Sequence, residues 1–275
     1  MLPIHTIQSI TLQRGDGRNL RYVLQLRDPM DNDPFIILAD DKFAHNTFAD
    51  HPHKGMQTVT YVLEGSLTHY DSKTGGGGGR LAEGDFQIMT AGRGIIHNEN
   101  PDPGEEVRVL QLWVNLSSDN KKQPSNYQDL PHDNAPVKAI DGGQVTVFAG
   151  DVDGTTSPLA LLTPFIFAEV KLEKGARYES PVNAGFNTYL YGLDGEFSIN
   201  GEALKAFDTV HFDITKNEDV IVIEATEDAT IVVFSGEPIK EPVIAQGPFV
   251  MNTQEEINEA FASYRNGTFL EGVPY

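Results

Sequence analysis

From Arg21 to Gly236 the chain is broken into short runs of β-branched and aromatic residues, each closed by glycine, aspartate or proline. Examples are RYVLQL (21–26), QTVTYVLEG (57–65), VRVLQLWVNL (107–116), TPFIFAEVKL (163–172) and ATIVVFSG (229–236). Strands at such regular spacing, with turn signals between them, predict an all-β chain built as barrels or sandwiches. One segment has clear helical character, NTQEEINEAFASYRNG (252–267). Asn252 or Thr253 caps its start, and Thr253 and Glu256 have the spacing of a capping box. Ile257, Phe261 and Tyr264 then share one face and Gly267 supplies the stop. The expected role of this helix is to lay an apolar stripe on a barrel.

A faint internal repeat points to two similar domains. TYVLEG (60–65) resembles TYLYGLDG (188–195), with two extra residues in the second copy. Each copy is followed by an aspartate opening another strand, in Gly84-Asp85-Phe86 and Phe207-Asp208-Thr209. A length of 275 residues suits two domains of ordinary size. The polar, proline-containing stretch 117–136 is the natural joint, so the expected division is residues 1–130 and 131–275. The pentaglycine run Gly75–Gly79 lacks the lysine and hydroxyl residue of a phosphate loop, and reads as a hairpin tip.

Twenty basic residues against forty acidic ones give a formal charge of −20. Such a field repels phosphate backbones, and no basic patch offsets it, so direct nucleic-acid binding is not expected. There are no cysteines, which excludes disulfides, thiolate metal sites and cysteine nucleophiles. The first residues lack a basic start followed by an apolar stretch, and no apolar run reaches a membrane span. The expected location is the cytoplasm.

The histidines carry the chemistry. His51-Pro52-His53 precedes one strand, and His97-Asn98-Glu99 follows the glycine-rich turn AGRG (91–94). Residues two apart on extended backbone project from the same face. Each pair can therefore point into a barrel, and Pro52 points the other way. Three imidazoles and one carboxylate make a borderline-hard donor set, suited to a six-coordinate divalent transition ion with two open positions. Iron, manganese, cobalt or nickel all fit that description, and a closed structural site would not leave such openings. His69 is the best candidate to support the site from behind. Arg93, in the AGRG turn, reads equally as a partner of Glu99, a greeter of anions, or a turn residue facing solvent. His211, isolated in the second half, reads as structural, as do the single His5, His45 and His132.

Three stretches together resemble the pirins, which are bicupins. They are HPHKGMQTVTYVLEG (51–65), GDFQIMTAGRGIIHNE (84–99) and GPFVMNTQEEINEAFASYRNGTF (247–269). The resemblance implies two jelly-roll β-barrel domains with a short C-terminal helix and a metal site in the first barrel only. It also implies that His51, His53, His97 and Glu99 are the ligands, with iron(II) the first choice of ion and manganese, cobalt, nickel, copper or zinc as alternatives. One departure concerns Gln57, where many pirins carry glutamate. An amide is a poor ligand, so its expected role is in the pocket or simply in the strand. In the second domain, aligning the Thr-Tyr starts places Glu179 and Pro181 opposite His51 and His53, and counting from Asp208 places Val220 opposite His97.

For function, the resemblance implies a quercetinase-type dioxygenase that opens a flavonol ring, with Glu99 as ligand and as general base for the 3-hydroxyl proton. A second reading is an iron-dependent redox sensor acting through a protein partner, such as a transcription factor or metabolic enzyme. A third is a metal-binding cupin whose activity is incidental. A flavonol-like aromatic substrate belongs to the first reading, a regulatory protein partner to the second.

Overall fold

The computed structural model describes residues 1–15, 17–25, 30–72 and 78–271. Two compact units emerge, one formed by residues 1–11 and 134–238, the other by residues 12–133 and 239–275. The expected cut between residues 130 and 131 divides the chain differently at both ends. The first strand, Ile4–Ser9, pairs with Asp208–Phe212, and the last strand, Phe249–Met251, forms a hairpin with Ile244–Gln246 and bridges back to Lys54. Pairings across some two hundred residues leave no local pattern in the sequence, and that is why a cut at the polar linker misses them.

In the unit built from residues 12–133 and 239–275, a seven-stranded antiparallel sheet centres on Glu106–Asn115, flanked by Phe35–Ala44 and Met56–Glu64. A four-stranded sheet runs His51–His53, Ile95–Asn100, Ser66–Asp71, Arg80–Ala82. Phe43, Val62, Leu67, Leu81, Val107 and Val109 pack between the two at one end. Ser66–Asp71 and Arg80–Ala82 pair antiparallel, as a hairpin requires. Of its expected glycine tip, Gly75 to Gly77 lie outside the described residues, as does Leu26 of the run 21–26.

The other unit has the same plan. Its seven-stranded sheet centres on Asn187–Asp194, Ala229–Gly236 and Phe165–Leu172, and its four-stranded sheet holds Arg177–Val182, Asp219–Ala225, Glu196–Ile199 and Glu202–Lys205. The interior is apolar, filled by side chains such as Leu190, Val210, Phe212, Ile221, Ile223 and Val233.

The helix forms where its capping signals lie, over Gln254–Arg265 with Thr253 as N-cap and both halves of the capping box made. Its buried stripe is Ile257 and Ala260, with Phe261 meeting Phe249 edge-on at 4.9 Å, while Tyr264 stays on the exposed side. The stripe packs against Phe249, Met251 and Ile96, so it braces the strand that carries His97. Gly94, just before that strand, has φ +139, and a Cβ there would lie 3.1 Å from the Phe269 ring. No helix among the described residues is long and apolar enough to cross a membrane.

Candidate metal centre

Strand alternation builds a cavity of about 280 Å³ inside the unit of residues 12–133 and 239–275. Every second residue of Phe35–Ala44 faces it, from Ile37 to Phe43, as do Val109, Gln111 and Trp113 of Glu106–Asn115. The four-stranded sheet supplies His51, His53, His97 and Glu99 from the other side. Register pairs His97 directly with His51, and Glu99 with His69. Both two-apart pairs therefore point inward, as period-two geometry dictates.

One donor atom from each of His51, His53 and His97 lies within 4.8 Å of the others. Their ring centroids are 4.5–5.0 Å apart. Backbone carbonyls fix two of the tautomers. His51 Nδ1 sits 2.9 Å from the Ala49 carbonyl and His53 Nδ1 3.3 Å from that of Pro248. A carbonyl only accepts, so Nδ1 carries a proton in each ring and Nε2 is the atom left to bind a ligand. His97 is 1% exposed, and neither of its ring nitrogens has a hydrogen-bond partner. A buried polar atom without a partner costs stability unless something absent from the polypeptide satisfies it. Burial pushes the His53 pKa down to about 3 and that of His97 well below the ordinary value, helped by the neighbouring imidazoles. Two imidazoles kept neutral by burial, His53 and His97, with His51 beside them, fit a divalent transition ion.

Glu99 lines the same cavity, but its carboxylate is turned to Thr60, whose hydroxyl donates to Oε1 at 2.8 Å, and to His69, whose Nδ1 lies 3.8 Å away. Burial alone would raise the Glu99 pKa; His69, Thr60 and His51 together hold it below the usual carboxylate range. For His69 the balance is reversed: burial alone would lower its pKa, and the Glu99 carboxylate beside it raises it. His69 is fully buried and stands behind the site, its ring 5.0 Å from that of His97.

The other sequence candidates fall away from the centre. Gln57 lies on the opposite face of its strand from Thr58 and Thr60, donating to Thr90 at 2.9 Å. Arg93 is exposed and donates to the Lys122 carbonyl. His211 stacks on Tyr189 at 4.2 Å and pairs with Asn187. In the other unit, exposed Glu179 is ion-paired with Arg177, and register sets Val222 opposite it, two residues on from the expected Val220. Sequence reasoning passed over Arg18, Asp41, Trp113 and Pro248, which share the cavity wall. Only the alternation within VRVLQLWVNL hinted at one of them, Trp113.

The Pirin family model matches residues 8–114, which contain all four expected ligands, and the model for the pirin C-terminal cupin domain matches residues 167–270. Pirin-like protein 2 of Arabidopsis thaliana is 41% identical over 267 residues, covering 93% of this chain and 81% of that protein. The chain belongs to the pirin family. Human pirin shares 37% identity over 92% of this chain and 88% of its own length. Among solved structures, a quercetin 2,3-dioxygenase from Acinetobacter baumannii matches this pirin with a TM-score of 0.88 and 32% identity, over 98% of each chain. The all-β bicupin expected from the sequence is thus the fold of this pirin.

Proposed function

We propose that this pirin is a metal-dependent oxygenase that opens the ring of a flavonol, holding one divalent ion, iron(II) first, on His51, His53, His97 and Glu99. The observation that carries the reading is the meeting of three imidazoles, both nitrogens of His97 unpartnered, at the wall of an aromatic-lined cavity. A likeness of 32% identity to a protein described as quercetin 2,3-dioxygenase supports the substrate class. At about 280 Å³ the cavity lies just below the roughly 300–1,000 Å³ usual for small-molecule sites, and suits a compact planar ligand.

When bound, the ion would supply Lewis acidity toward the flavonol 3-oxygen and a redox couple for dioxygen chemistry. The chain does the rest. Glu99, held ionised by its neighbours, accepts the 3-hydroxyl proton, and Thr60 and His69 hold the carboxylate in place. Trp113, Phe43 and Phe48 offer flat apolar surface to the rings and limit water around the reacting carbons.

Iron(II)-reconstituted protein should consume a flavonol under oxygen, seen as loss of its absorbance band. Glu99→Gln keeps the side-chain shape but takes no proton, so turnover should fall by about 10²–10⁴-fold. Fully iron-loaded wild type that leaves flavonols untouched sinks the reading. The redox-regulator alternative would then take its place, with the charge of −20 favouring a basic protein partner over nucleic acid.

A further inference from the structure

We propose that the cavity selects its ligands by charge as well as shape: the Arg18–Asp41 ion pair in its wall admits uncharged hydroxylated aromatics and turns away those that bring a carboxylate against it. The inference rests on the reading above only in taking this cavity as the substrate site.

Arg18 opens the strand Arg18–Leu24, and Asp41 lies near the end of Phe35–Ala44, two neighbouring strands whose side chains meet in the cavity wall. Among the described lining residues Arg18 is the one with a permanent positive charge, against the two carboxylates Asp41 and Glu99. An arginine in an aromatic pocket would ordinarily read as an anchor for a substrate carboxylate, because its planar fork matches that group. Here the Nε–Nη2 edge of the fork is already engaged. Nε donates to Asp41 Oδ1 at 3.3 Å, and Nη2 donates to Oδ2. One face of the guanidinium lies over the Phe48 ring, 4.7 Å from its centroid, a cation–π contact that holds the plane in position.

Exposure differs sharply across the pair. The Arg18 side chain is 28% exposed and borders solvent, whereas Asp41 is 5% exposed and its charge is poorly screened. A ligand carboxylate meeting this pair would find only the Nη1 edge of Arg18 open, beside the poorly screened charge of Asp41. Two carboxylates would then share one guanidinium, with Glu99 adding a third negative charge in the same wall, and that excess is unfavourable at a largely buried site. A phenolic hydroxyl meets no such penalty. It can donate to Asp41, because an ionised carboxylate has about four acceptor sites and Arg18 occupies two. Negative charge is thus excluded by a repulsive element built into the site, the usual route to discrimination between ligands of one shape.

The chain has a single tryptophan, Trp113, and its ring centroid is 5.1 Å from that of His53 in the same wall. Its fluorescence reports occupancy without turnover. The test uses iron(II)-loaded protein under anaerobic conditions and two probes that are not flavonols: biphenyl-3,4-diols bearing either a hydroxyl or a carboxylate at the 4′ position. Wild type should bind the hydroxyl probe at least about tenfold more tightly. Asp41→Asn removes the negative charge and leaves Arg18 free, so the preference should shrink at least about tenfold or reverse. Should that variant fail to fold, Arg18→Gln provides the opposite reading, with the carboxylate probe bound more weakly still. Equal binding of the two probes by wild type, or no binding of either, overturns the inference, as does an unchanged preference in the variants. Flavonol turnover is scored separately, so charge selection without turnover defeats only the proposed reaction, and turnover without charge selection defeats only this inference.

Discussion

Replacing His97 with alanine removes an imidazole whose two nitrogens already lack protein partners, so the change strands no new polar group inside the barrel. The variant should lose metal affinity by at least the roughly 10–100-fold typical of losing a group that merely supports a ligand. Its unfolding in the metal-free state should stay cooperative, which a thermal melt after chelation checks. Lys121 presents a different case. Its ammonium is buried, donating to the Gly55 carbonyl and to Asn115, and burial brings its pKa down to about 7 against the pull of Glu241, Glu256 and Asp33. The unfolded chain keeps that proton up to the ordinary lysine value of 10.5, so between pH 7 and 10.5 it binds more protons than the folded one. Stability attributable to Lys121 therefore rises with pH across this window and is lost as pH falls toward 7. Urea unfolding at pH 7 and pH 10 should show wild type gaining on Lys121→Met as pH rises; parallel pH dependence would mean that Lys121 titrates normally. The histidine pairs were legible from the sequence because period-two spacing alone sets their direction. Lys121 was not, since its partner Gly55 lies 66 residues away.

The hairpin Ile244–Gln246 with Phe249–Met251 and the helix Gln254–Arg265 act as a clamp on the histidine-bearing sheet. Three contacts make it: the Pro248 carbonyl on His53, Val250 N donating to the Lys54 carbonyl, and the apolar cluster around Phe249 that includes Ile96. Gly55 is where the clamp comes closest. It has φ +80, and a Cβ there would lie 1.9 Å from the Val250 carbonyl oxygen. Gly55→Ala therefore combines left-handed strain, about 1–2 kcal/mol, with a backbone clash that pushes the hairpin away. The melting temperature should drop by several degrees, at roughly 2–4 °C per kcal/mol for a domain of this size. Metal affinity should fall with it, because His53 loses the carbonyl that fixes its tautomer; calorimetric titration with the metal reads that loss. A variant that melts like wild type and binds metal normally would show that the clamp does not bear on the site. The helix itself was fully legible, down to the Thr253–Glu256 capping box. Its docking partner was not, because an apolar stripe carries no address.

At the scale of the whole molecule the two units share a plan but not an interior. One encloses the histidine-lined cavity, and the other is filled by Leu190, Phe212, Ile221, Val233 and their neighbours. Among the described residues the one grouping of three metal-binding side chains is His51, His53 and His97. Elemental analysis of freshly purified protein should thus approach one transition metal ion per chain, and two would require a second site in the filled barrel. The twofold repeat was visible in the sequence through its paired Thr-Tyr segments and the aspartates that follow. The exchange of terminal segments was not, since it is written only in long-range pairing.

Pro248 reaches His53 across 195 residues of chain. A ribosome adding about 5–20 residues per second needs some 10–40 s to cover that distance. Throughout that interval His53 has emerged while the carbonyl that orients it has yet to be made. A chain stopped short of residue 248 would thus carry His53 without the carbonyl that orients it, and the order of the imidazole set is completed by a segment made long after the histidines themselves.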